Sequence, residues 1–351
     1  MGKIFTLTLI IFLSYFNLLA QTTDVVTGLI GPAGIALNGN ILYISESNGN
    51  KISKIDISET TPTTTDVITN LAGPNGLLLN GNELYIVQGG AGKISKIDIS
   101  ESSPTAIEVV AGLSNPGDIL LHGNDLYIAE LAAAKISKID ITETNPIPTD
   151  VVTEGLSLPH GLALNGSDLY ISMGSLLGKI SKIDISDPMP SIIEVVTGLS
   201  SPRGITLIEN ELYIAEFVGD KISKIDINST MPIVTDVVTG VSRPFSTMHH
   251  QNNLYIVELV GGKISKFDLN LLSLEEFSIT SAPIIYPNPT SQMIQISGLI
   301  NTEDYKIINI YGAVVKVGRI SRTKNINVQN LINGIYFLKF KEGNTFKFIK
   351  E

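Results

Sequence analysis

Four glutamates recur at one place in this chain. Glu46, Glu130, Glu216 and Glu258 each stand three residues after the tyrosine of a repeated "LYI" tripeptide, and Gln88 and Met173 hold the same place in two further copies. Carboxylate oxygens in such a number are the ligand set of a hard cation, Ca²⁺ above all. A second recurring position follows a proline and is occupied by Ala33, Asn75, Gly117, His160, Arg203 and Phe245. Here the copies differ. Asn75 adds an oxygen ligand, and His160 is a candidate general base. Asp118 and Ser246 depart from a Pro-x-Gly pattern kept by the other copies. The remaining histidines, His122, His249 and His250, fall in a hairpin turn or along a strand. Whether these side chains meet depends on the elements that carry them.

The tyrosines Tyr43, Tyr85, Tyr127, Tyr170, Tyr213 and Tyr255 are spaced by 42 or 43 residues. A fixed period of that length marks a repeat architecture. One period, residues 24–65, holds four short runs rich in Ile, Val and Tyr: "DVVTGL", "GIALNG", "ILYIS" and "KISKIDI". Each is too short for a stable helix and suits a strand. The "NG" pairs at Asn38–Gly39, Asn80–Gly81 and Asn165–Gly166 predict tight hairpins with positive φ at both turn residues. Four strands in each of six copies predict an all-β fold, a six-bladed β-propeller over residues 21–273. The last copy lacks a following "DVVTG" run, and the N-terminal Asp24–Leu29 is placed to supply it, closing the ring and removing two sheet edges.

The octapeptide "KISKIDIS" is then the third strand of each blade. Alternation puts Ile52, Lys54 and Asp56 on one face and Ser53, Ile55 and Ile57 on the other. Lys54, Asp56 and their equivalents are expected near the bottom rim as a charge ladder around the ring. Such surface pairs contribute less than about 1 kcal/mol each.

The repeat "PAGIALNGNILYISESNGNKISKID" resembles that of NHL and related TolB-like six-bladed propellers, a group that includes the SMP-30-like lactonases. The resemblance implies that the Pro-x-Gly strand is innermost. The loops before it and after "LYI" then open on one channel face. On that face it places Glu46, Gln88, Glu130, Glu216, Glu258, Asn75, Asp118, His160 and Arg203 as ligand-binding candidates. Glu46, Glu130, Glu216 and Glu258 are the candidate Ca²⁺ ligands, with a solvated acidic rim as the alternative. The fold carries lactonases, lyases and binding modules alike. A ligand- or protein-binding module is the first expectation, since six near-equal copies favour it; a divalent-cation-dependent lactonase or lyase is the second.

The two ends differ from the repeat. Lys3 and the apolar "IFTLTLIIFLSYFNLLA" predict a signal peptide over residues 1–20, cleaved near Ala20. There is no Cys, which excludes disulfides and thiolate chemistry. The net charge of −10 argues against a nucleic-acid partner. Residues 274–283 read as a linker. Residues 280–351 hold nine Lys or Arg against four Asp or Glu, a net +5, while residues 1–279 are net −15.

Alternating runs such as Met293–Ile296 and Tyr305–Ile310 predict a small Ig-like β-sandwich over residues 284–351. This tail closely resembles the type A C-terminal sorting domain of type IX secretion. The matching residues are Tyr286, Pro287, Asn288 and Pro289, Gly312, Gly334 and Tyr336 within "LINGIYFLKF", and Lys347 in the final "KFIKE". The resemblance implies export across two membranes by the type IX machinery and removal of the domain by its sorting protease. The product is then released, or attached to surface lipopolysaccharide.

Overall fold

The structure, a computed structural model, describes residues 22–175, 177–272, 284–297, 302–321, 325–340 and 345–351. The expected signal peptide and linker lie outside the described residues. The chain divides into two compact units, Met1–Leu269 and Asn270–Glu351.

The first unit is built of six four-stranded antiparallel sheets. In the first blade the strands run Pro32–Asn38, Ile41–Glu46, Lys51–Asp56 and Thr65–Thr69, in that order from the inside out. The innermost strands neighbour one another around the ring, Pro32–Asn38 touching both Pro74–Asn80 and Pro244–His250. The sixth blade takes its outer strand from the other end of the chain. Thr23–Thr27 pairs antiparallel with Lys263–Asp268, Val26 opposite Ile264. Val26 and Leu29 are buried there against Val257 and Ile264. The ring is thus closed by hydrogen bonds and apolar contact, as the unpaired first run predicts.

Strand alternation explains the core. Leu42 and Ile44 point to one face of the second strand and pack against Tyr255 and Val257 of the sixth blade. Tyr43, with Ile52 of the third strand, packs on Leu84, Ile86 and Ile97 of the second blade. Each blade therefore buries both faces. Fully burying such an Ile or Leu stabilises the fold by about 1.5–3 kcal/mol.

The hairpin chemistry differs in detail from the expectation. Asn38 pairs with Ile41, so the turn residues are Gly39 and Asn40, and of the two only Gly39 has positive φ. That is the pattern of a turn needing glycine at its first central position. Glu209 and Gln251 take the left-handed conformation at that place in the last two blades.

The expected charge ladder is also corrected. Lys51 sits at the channel-face end of its strand, beside Glu46 at 3.4 Å and Asp66 at 2.6 Å. The lysine three residues on pairs with an acid of the adjacent strand, as in Lys96–Glu83, Lys138–Asp125, Lys182–Asp168 and Lys224–Glu211. Asp56 joins neither. Its carboxylate accepts from the backbone N–H and hydroxyl of Ser58. A strand-end aspartate meets the free donors of its own turn before it can reach a neighbouring lysine.

The second unit is a β-sandwich. One sheet orders its strands as Val314–Ile320, Glu303–Asn309, Gly334–Phe340 and Thr345–Lys350. The other joins Ile284–Tyr286, Met293–Ser297 and Ile326–Asn327. Ile294, Ile307, Leu338 and Phe348 are fully buried between them, and Tyr336 stacks on Phe348 at 5.6 Å. The Tyr286–Pro289 motif pins the last strand. Asn288 Oδ1 accepts from Ile349 N–H at 2.9 Å, and Asn288 Nδ2 donates to Lys347 O at 3.1 Å. Gly312 turns the central hairpin at φ 82°. Tyr286 stays half exposed, and Gly334 opens the strand that carries Tyr336.

Candidate functional site

The glutamates are structural staples. Each lies at the end of the second strand, only 2% exposed. Oε2 of Glu46, Glu130, Glu216 and Glu258 accepts the backbone N–H of Ile30, Ser114, Ser200 and Ser242 respectively, each at 2.7 Å. The bond ties down the loop ahead of the innermost strand. Oε1 accepts the serine hydroxyl of the octapeptide in two blades, from Ser137 to Glu130 and from Ser265 to Glu258 at 2.6 Å. Oε1 of Glu46 and Glu216 makes no hydrogen bond but faces Lys51 and Lys221 at 3.4 Å. Gln88 does the same work with its amide, accepting from Ala72 N–H and donating to Ser95.

These carboxylates neither form a solvated rim nor suit a cation. Their oxygens already accept backbone donors, and Glu46, Glu130, Glu216 and Glu258 each have a lysine alongside. Among the described residues, no group of three or more His, Cys, Asp or Glu is placed to hold a metal ion. The octapeptide now reads residue by residue. Its Ser bonds the staple in blades two, three and six, and its first Lys flanks the staple wherever a Glu holds it. Its isoleucines fill the core, its second Lys pairs an acid of the adjacent strand in four blades, and its Asp holds the turn.

The singular residues behave differently. Asn75 stays at the boundary of the first two blades, where its Oδ1 accepts from Ser47 at 3.3 Å. Asp118, His160, Phe245 and Ser246 come together, lining a channel cavity of about 40 Å³ with Gly76 and Gly117. That volume suits roughly one water molecule. Asp118 accepts the backbone N–H of Leu162 at 3.1 Å. Burial pushes its carboxyl up to about 6, against the lowering effect of that bond. Burial, with Arg203 beside it, pushes His160 down to about 3, so the ring is neutral. His160 Nδ1 has no hydrogen-bond partner.

Above this cavity lies a cluster the acid ring gave no sign of. The His160 ring meets Phe245 edge-on at 4.8 Å. Arg203 lies over both Phe217 and Phe245, its guanidinium carbon 5.2 and 5.8 Å from their centroids. Arg243 lies over Phe217 at 5.2 Å. The backbone explains the convergence. Arg203 and Phe245 follow the prolines that open the innermost strands of blades five and six. Phe217 begins the loop after the second strand of blade five, and Arg243 precedes Pro244 at φ 53°. Gly31 and Gly73 hold the place of Arg243 in the first two blades, also at positive φ. Asn115, Leu158 and Ser201 take the same conformation in the next three blades, so this turn belongs to the repeat and only its side chain is particular to blade six. The repeat alignment held the signal for Phe217 and Arg243. The places after "LYI-x-Glu" and before the proline vary between copies just as the place after it does.

Residues 284–351 match the secretion system C-terminal sorting domain family. No curated protein matches the chain. Solved structures share the propeller. A virginiamycin B lyase from Staphylococcus aureus is 18% identical, with 71% of this chain and 98% of that chain covered at a TM-score of 0.54. A gluconolactonase from Xanthomonas campestris is 15% identical, with 71% and 89% covered at 0.57. A chain of a nidogen/laminin complex is 16% identical, with 66% and 89% covered at 0.57. At such identities the likeness is one of fold. The chain folds as a six-bladed β-propeller and carries a tail that matches the secretion system C-terminal sorting domain, a type IX tail that indicates secretion.

Proposed function

We propose that the secreted propeller is a ligand-binding module, and that its ligand sits at the channel mouth over blades four to six. The carrying observation is an asymmetry. Most of each blade repeats in its neighbours, but His160, Arg203, Phe217, Arg243 and Phe245 have no counterparts in the other copies and gather in one place. Aromatic side chains and arginine are the residues that carry binding energy in recognition surfaces. The signal peptide ends near Ala20, and the linker at 274–283 is where the sorting protease cuts. The basic tail is thereby removed, and the acidic module is released or joined to surface lipopolysaccharide.

A divalent-cation-dependent lactonase or lyase is the second reading. Its support is Asp118, a channel carboxyl raised to about 6 and therefore able to exchange a proton near neutral pH. A melting-temperature screen of the purified protein against lactones, sugars and carboxylates, with and without Ca²⁺, separates the two. Binding without turnover, lost in Phe217→Ala/Phe245→Ala, supports the module. Lactone turnover that depends on Ca²⁺ and on Asp118 supports the enzyme. In a host with type IX machinery, mass spectrometry of the exported product should show a chain that ends before Ile284. Full-length protein in the medium, with Glu351 intact, would sink the sorting argument.

A further inference from the structure

Arg203 is the least satisfied charge at the mouth. Its guanidinium is largely buried, and burial alone lowers its proton affinity. Its Nε has no hydrogen-bond partner, and no carboxylate neighbours it among the described residues. Arg243, by contrast, has Asp220 at 4.0 Å. Withdrawing a cation from water is costly. The two rings beneath it return only part of that cost. The difference is what an anion would offset.

The surroundings narrow the anion. One guanidinium is uncommitted, so one negative charge is matched, and its planar fork suits a planar carboxylate better than a tetrahedral dianion. Gly174 leaves room beside the fork, since a Cβ there would stand 3.7 Å from the guanidinium carbon and Nη1. His160 Nδ1 is a second unpartnered polar atom, on a ring only 4% exposed. Around these atoms the walls are apolar. Phe217 and Phe245 lie under the guanidinium, edge to face at 6.1 Å, and Val218, next to Phe217 in the chain, is 40% exposed.

We infer that the channel mouth binds a small ring-bearing carboxylate, with the carboxylate on the outer edge of the Arg203 fork and the ring against Phe217 and Phe245. This rests on the binding reading above and names its ligand chemistry. An aromatic acid and an acidic sugar share that chemistry.

Calorimetric titration of the full-length protein tests it with paired probes, benzoate against benzyl alcohol and glucuronate against glucose. At least one acid should bind roughly tenfold or more tightly than its neutral partner, since a charge-assisted bidentate contact is worth that much or more. Whichever acid binds identifies the source. Arg203→Gln should abolish that preference while Arg203→Lys keeps part of it, with both variants melting within a few degrees of the parent. Should Arg203→Gln unfold the chain, Gly174→Val gives the same reading by filling the space beside the fork. Equal binding of acid and neutral partner, undiminished binding by Arg203→Gln, or no acid bound at millimolar concentration overturns the inference. If a neutral ligand binds and is lost in Phe217→Ala/Phe245→Ala, only the ligand class falls and the binding module stands.

Discussion

The acid staples and the channel mouth are built at the same level of the propeller, yet they use charge in opposite ways. Glu130 has every carboxylate oxygen answered inside its own blade, by Ser114 N–H, Ser137 and Lys135. Arg203 and His160 each keep a buried nitrogen without a partner. A charge that recurs from blade to blade is one the blade itself requires, because the partners recur with it. Arg203 occurs once, has no carboxylate partner, and is available for something outside the chain. The difference teaches where to look in a repeat protein, namely at positions where the copies disagree.

The largest effect should come from breaking the ring that makes both regions possible. Deleting residues 22–30 removes the outer strand of blade six and the buried Val26 and Leu29. Those two side chains alone are worth about 3–6 kcal/mol, and the freed edge should promote aggregation. Thermal melting with light scattering reads both; a parent-like melt would refute the closure.

Next comes the staple itself. Glu130→Leu strands a buried N–H and a buried hydroxyl, a loss of about 3 kcal/mol in chemical denaturation. Glu130→Gln should cost much less, because Gln88 already performs the task in blade two. Ca²⁺ should shift neither the parent nor the variants. A Ca²⁺-dependent rise in the parent, lost in Glu130→Gln, would return the ring to cation binding.

The mouth should reveal itself through pH. Asp118 has a folded value raised to about 6, above the unfolded 3.8. The folded state therefore holds the extra proton between those values, and this contribution to stability falls as pH rises through them. His160 has a folded value lowered to about 3 from 6.5. The unfolded state holds that proton, so its contribution rises with pH across the same window. Between pH 4 and 6 the two slopes oppose each other, each at most about 1.4 kcal/mol per pH unit. Asp118→Asn should therefore make stability climb with pH there, and His160→Phe should make it fall. Identical slopes in the two variants would mean that neither group is buried as described.

The smallest effect belongs to the surface pairs. Lys138→Ala breaks the 2.7 Å bridge to Asp125, and the denaturation midpoint should register less than about 1 kcal/mol. A loss as large as that of Glu130→Leu would erase the distinction between stapled and solvated charge.

The period of 42 or 43 residues and the four runs within it determined the blade, and the missing final strand determined how the ring closes. Local chemistry suffices for this, since alternation sets which side chains are buried and an unpaired edge must find a partner. The tail was legible through its resemblance to a sorting domain, and the Tyr286–Pro289 motif and the final strand that carry it are joined by Asn288 across 59 and 61 residues. Tertiary structure alone decided the two sites. Each innermost strand begins with a register irregularity, as between Pro32 and Ile35 or Pro244 and Ser246. Alternation cannot be counted through such a bulge, so sequence could not say which way the residues just after the proline, such as His160 and Arg203, turn. Nor could it show that Arg203, Phe217, Arg243 and Phe245 share one cluster. They come from separate loops of neighbouring blades, and only the packing of blade on blade brings those loops within a ring's width of one another.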